Sequence, residues 1–248
     1  MVDRAVHRAI GSDGATRTIN TVAAYARSAR AFCNWLVRQG YVAATLFPQG
    51  AVPKAQRHLP QAVEPAAFAC MLRACQLAGS PGGQHAGMKA RNRAILWLLL
   101  DTGLQVSELC RLRLVDVDRT GGTVTVRGKR GELRKFSLSE DGQRAVNIYL
   151  DQARLTPAWE PAVPEARDQL LLTERRQSLT NNSLTLLFKR LSQRAGFTRT
   201  PICPSMLRDT YAIRFLQAGG ELAVLQKQLG VAGLASVKRY QHFCEQQK

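Results

Sequence analysis

The stretch from Pro204 to Tyr240, PSMLRDTYAIRFLQAGGELAVLQKQLGVAGLASVKRY, constrains this chain most. Its apolar residues recur at helical spacing in three runs. Gly219-Gly220 separates the first run from the second, and Gly230 closes the second. Short helices joined by glycine turns can fold an early residue, Arg208, and a late one, Tyr240, onto one patch. There a cation and a phenol would face the same ligand. With 35 Lys and Arg against 18 Asp and Glu, the net charge is +17. The ligand this implies is a phosphodiester.

At 248 residues the chain can hold one large domain, or one domain with a small appendage. Few aromatics among many apolar residues suit a helix-rich protein. Basic residues spread along the whole length imply a polyanion partner rather than a basic tail. Anionic membrane competes, but no basic helix carries the bulky apolar face of an interfacial helix. The longest apolar run, Ala94 to Leu100, is too short to cross a bilayer. The opening MVDRAVHRAIGSDG lacks the apolar region of a signal peptide. Six cysteines lie far apart, and the nearest pair, Cys70 and Cys75, lacks metal-site spacing. They read as reduced core residues of a cytoplasmic protein. The four histidines form no cluster, and neither a metal nor a cofactor is expected.

Along the chain, residues 18–39 read as one amphipathic helix. Val22, Tyr25, Ala29, Phe32, Trp35 and Leu36 form its stripe, and Gly40 closes it. Three prolines and no periodicity mark residues 47–61 as a linker, with Lys54 and Arg57 placed to lie along DNA. Helices are expected over 64–78, 88–101, 140–155 and 180–195. The last is capped by Thr180 or Asn181 and made basic by Lys189, Arg190 and Arg194. Residues 122–127 and 132–138 alternate as strands around Gly128-Lys129-Arg130-Gly131, a hairpin with its lysine at the tip. Leu170 to Leu172 can add a short strand.

Ser205-Met206-Leu207-Arg208, Leu229-Gly230-Val231 and Tyr240 stand in the register of a known signature. That signature is His-x-x-Arg, then Leu-Gly-His, then a tyrosine nine residues on, and it belongs to the tyrosine recombinases (phage integrases and Xer-type resolvases). Thr102-Gly103-Leu104-Gln105-Val106-Ser107-Glu108-Leu109 resembles the same family's Thr-Gly-Leu-Arg-x-Ser-Glu-Leu segment, and Lys129 matches its hairpin lysine. The resemblance covers roughly residues 60–243. It implies a mainly α fold with a small β-hairpin or three-stranded sheet. Residues 1–46 would be a truncated helical core-binding segment, 47–61 a linker, and 62–248 the catalytic-like domain. With much of the usual clamp missing, autonomous binding should be weak. The eight residues after Tyr240 leave little to donate to a neighbouring protomer.

In such recombinases the tyrosine attacks the phosphodiester without metal or ATP. Two arginines neutralise the charge that develops on the non-bridging oxygens. A lysine protonates the leaving oxygen, and a histidine handles the tyrosine proton. The resemblance gives Lys129, Arg208 and Tyr240 these catalytic places and Glu108 a supporting one. Gln105, Ser205 and Val231 replace the first arginine and the two histidines. Losing one preorganised donor costs about 100- to 1000-fold in rate. Lys54, Arg57, Arg130, Lys189, Arg190 and Arg194 remain as DNA contacts. The expected function is thus a catalytically impaired DNA-binding family member, a regulator or accessory factor in recombination or integration. The alternative is a divergent working recombinase using Tyr240. The partners implied are double-stranded DNA and either further copies of this chain or an active recombinase. Taken singly, Tyr240 is a surface tyrosine ending a helix, and Arg208 an ion-pair partner for Glu108 or the neighbourhood of Asp209. The joint spacing of Gln105, Lys129, Arg208 and Tyr240 argues against coincidence.

Overall fold

The computed structural model describes residues 18–45, 47, 50–53, 59–77, 83–128 and 131–246. Lys54, Arg57, Lys129 and Arg130 lie outside the described residues. The chain divides into two units, residues 1–58 and 59–248. In the first, helix α1 spans Ile19–Arg38, with the Thr18 hydroxyl accepting from the Thr21 amide at its start. Tyr25, Phe32 and Trp35 of its apolar stripe are exposed, and the Phe32 and Trp35 rings stack 5.9 Å apart.

The second unit is built around α3 (Gly83–Thr102), whose Ala94, Ile95, Leu96, Leu98 and Leu99 are fully buried. Burial on nearly every side is why this run looks apolar rather than amphipathic. It packs against α2 (Pro65–Gln76), α5 (Glu140–Tyr149) and α7 (Pro204–Gln217). Cutting any of these leucines to alanine costs about 2–5 kcal/mol. A one-turn helix α4 (Val106–Leu109) follows α3.

The sheet is antiparallel, in the order β1 (Val117–Asp118), β2 (Thr123–Arg127), β3 (Leu133–Ser137). Val124 lies opposite Phe136 and Val126 opposite Arg134, so these four face inward together. The third strand is therefore residues 117–118, not the expected 170–172. Leu172 forms an isolated bridge with Ser178, and Leu170 and Leu171 are buried as core side chains instead. The expected helix over 140–155 also differs: after Tyr149 it widens into a π turn over Leu150–Arg154. There the Arg154 guanidinium turns inward and donates to the Gln169 carbonyl at 2.8 Å.

Helix α6 (Asn181–Arg194) starts at Thr180, whose hydroxyl accepts from the Ser183 amide at 3.2 Å. Then come α7, α8 (Leu222–Leu229) and α9 (Ala235–Glu245), the three runs read from the sequence. They share a small core of Ala212, Ile213, Leu225, Leu229, Val237 and Tyr240. That core holds the last helix against α7 and fixes where its tyrosine lies.

Candidate functional site

Two glycines shape the site. Gly103, just past the end of α3, has φ +59°, and a Cβ there would lie 2.5 Å from Cδ1 of Tyr211. Gly230 ends α8 in the left-handed conformation, φ 62°. A Cβ on it would sit 2.9 Å from a guanidinium nitrogen of Arg134. These turns leave the Gly103 carbonyl and the last carbonyls of α8 without helical partners.

Arg208 fills that gap. Its Nη1 donates to the Gly103 carbonyl and its Nη2 to the Leu229 carbonyl, each at 2.7 Å. Neither Glu108 nor Asp209 is its ion-pair partner. Two backbone carbonyls fix the plane of its fork, and the guanidinium has further N–H donors for an anion. Burial draws Arg208 down from its ordinary value, while the nearby phenol of Tyr240 and the carboxylate of Glu108 pull it back up.

Glu108 pairs instead with Arg134, both almost wholly buried, in a short charge-assisted contact. Arg134 also donates to the Gln228 carbonyl at 2.5 Å, so α4, β3 and the end of α8 are tied together. The other carboxylate oxygen of Glu108 accepts from the Gln105 amide at 2.9 Å. Gln105, Arg134, Gly230 and Val231 line one cavity of about 720 Å³. Ser205 is exposed one turn before Arg208, its hydroxyl 3.1 Å from the Cys203 thiol.

Tyr240 is buried, not a surface tyrosine: 1% of it is exposed. Its hydroxyl donates to Oδ1 of Asp209 at 2.7 Å and accepts from Nη2 of Arg239 at 2.5 Å. Arg239 also pairs with Asp209 at 3.1 Å and lies over the Tyr240 ring. Burial pushes the phenol up from its ordinary value; the Arg239 hydrogen bond lowers it and the Asp209 carboxylate raises it. The phenol is therefore protonated at neutral pH. The backbone amide of Gln61 also donates to Asp209, at 3.2 Å.

Arg208 and Tyr240 lie near enough for the phenol to raise the Arg208 titration, and Gln105 and Val231 line the cavity that also takes in Glu108 and Arg134. Lys189, Arg190 and Arg194 are exposed on α6, and the latter two line a second cavity of about 430 Å³ with Arg91 and Arg175. Two arginines of the site, Arg134 and Arg239, escaped the motif reading. Arg134 had a signal: it shares the inward face of an alternating strand with Phe136, where a charge requires a buried partner. Arg239 had none beyond its place beside Tyr240. Among the described residues, no three His, Cys, Asp or Glu side chains are grouped to hold a metal ion, and no helix is long and apolar enough to cross a membrane.

A family model described as the phage integrase family matches residues 79–247. The chain belongs to this family, the tyrosine recombinases, and is Xer-like in sequence. It is 29% identical over 223 residues to tyrosine recombinase XerC of Roseiflexus sp. (strain RS-1), covering 90% of this chain and 68% of that one. To XerC of Oceanobacillus iheyensis it is 30% identical over 213 residues, covering 86% and 67%. Among solved structures, XerH recombinase bound to a palindromic difH substrate, in a post-cleavage complex, superposes with a TM-score of 0.73 at 19% identity. That match covers 93% of this chain and 65% of XerH, and it shows a shared fold.

Proposed function

We propose that this chain binds double-stranded DNA at the Arg208–Tyr240 site as a catalytically impaired tyrosine recombinase. It would act in the cytoplasm as a regulator or accessory factor in site-specific recombination or DNA integration. One observation carries the reading: Tyr240 is buried and its hydroxyl is already bonded to Asp209 and Arg239. Around it, Gln105, Ser205 and Val231 supply neutral groups where the family's signature has an arginine and two histidines. Arg208 remains as a preoriented cation for one backbone phosphate. Lys129 and Arg130, which fall between β2 and β3 in the sequence, Lys54 and Arg57, and Lys189, Arg190 and Arg194 on α6 would add cations for neighbouring phosphates. The family's recombinases, XerH on difH among them, make duplex DNA the natural partner. Further copies of this chain, or an active recombinase, would complete the assembly.

The second reading, a working recombinase, is favoured by Asp209. A carboxylate 2.7 Å from the Tyr240 oxygen is placed to take its proton as that oxygen attacks phosphorus. The bond to O5′ would break, Lys129 would protonate O5′, and a 3′-phosphotyrosyl bond would form. A duplex nicked beside the cleavage point separates the two readings, because its short fragment diffuses away and traps any covalent product. The proposed reading expects retained but intact DNA. A covalent adduct abolished by Tyr240→Phe establishes the enzyme.

A further inference from the structure

We infer that Arg239 is a second phosphate ligand of this site, held in reserve by Asp209. The inference rests on the DNA-binding reading above and adds to it a residue and a regulating charge.

Arg239 is placed for this by three contacts. Its Nη2 touches the Tyr240 hydroxyl oxygen at 2.5 Å, its guanidinium carbon lies 4.6 Å from the centre of the Tyr240 ring, and it pairs with Asp209 at 3.1 Å. A backbone phosphate resting against the phenol oxygen carries its non-bridging oxygens one bond beyond phosphorus. A guanidinium that already touches the phenol reaches those oxygens with its remaining N–H donors. The positions of Gln105 and Val231 supply no cation to this part of the site, so the phosphate charge is left for Arg208 and Arg239 to meet.

Arg239 keeps these contacts while its side chain stays open to solvent. Its side chain is 46% exposed, and its pairing with Asp209 at 3.1 Å is of the solvent-facing kind that contributes little. Asp209, in contrast, is 13% exposed and keeps two other donors, the Tyr240 hydroxyl and the Gln61 amide. The carboxylate therefore stays when the guanidinium swings to a phosphate. Left behind, it faces that phosphate as a like charge. Asp209 thus acts twice against binding, by occupying Arg239 and by repelling the ligand, and it sets how tightly the site closes on DNA.

Two substitutions should move affinity in opposite directions, which a merely structural triad would not do. The probe is a short nicked duplex, with equilibrium binding measured across a range of salt, and each variant is first checked for an unchanged circular-dichroism melt. Arg239→Gln should weaken binding by roughly tenfold and make the salt slope shallower by about one, while Arg239→Lys should keep the slope. Asp209→Asn should strengthen binding by roughly tenfold, and most of that gain should vanish when Arg239→Gln is added. If the chain binds the duplex and Arg208→Ala weakens it, but Arg239→Gln leaves the slope unchanged or Asp209→Asn weakens binding, this inference fails and the DNA-binding reading stands. A chain that ignores the duplex at low ionic strength overturns both.

Discussion

Arg208 and Arg134 cap the same helix end, donating to the carbonyls of Leu229 and Gln228 at 2.7 and 2.5 Å. A guanidinium is favoured at a helix C-terminus because the unpaired carbonyls carry partial negative charge there. Arg208 is also the phosphate ligand proposed above, so the proposed site and the end of α8 share a contact.

Arg134 and Glu108 are both almost wholly buried, so removing one leaves the other charged without its partner. Arg134→Ala or Glu108→Ala is expected to cost about 3–5 kcal/mol. Replacing both with apolar residues of similar size should cost clearly less. The shift of the urea midpoint at constant slope measures each.

Gly103 cannot carry a side chain without moving Tyr211, and its φ of +59° is itself strained for other residues. Gly103→Ala should cost more than about 1 kcal/mol and displace the carbonyl that orients Arg208. Thermal melting checks the first expectation, and weaker retention of duplex DNA the second.

The tyrosines predict an alkaline limit. Burial pushes Tyr149 and Tyr211 up to about 12. In the unfolded chain they ionise near their ordinary value of about 10. Between those points the native state holds protons that the unfolded state has lost, so stability falls as pH rises. Urea midpoints should be flat as pH approaches 10 and decline above it. Tyr240 should answer to its neighbours separately: Asp209→Asn lowers its titration and Arg239→Gln raises it, read as the absorbance difference from Tyr240→Phe.

Much of this architecture was legible because helical spacing and glycine stops are local signals. The runs ending at Gly219-Gly220, Gly230 and Tyr240 became α7, α8 and α9, and the alternating residues around Gly128 to Gly131 became β2 and β3. The third strand was misplaced because the Leu170–Leu172 run is apolar for burial in a loop, which periodicity does not distinguish from a strand. The ion-pair partners were hidden for another reason. Glu108 and Arg134 are 26 positions apart, and Asp209 and Arg239 are 30 apart. Such pairings are set by how the elements pack, not by spacing within any one of them.

The most direct test is equilibrium binding of a short duplex across a range of salt, for the chain itself and for Arg208→Ala and Lys129→Ala. The account predicts retention at low ionic strength, with log affinity falling linearly against log salt and each variant shallower by about one. Failure to retain the duplex at low ionic strength, or three identical slopes, would contradict it.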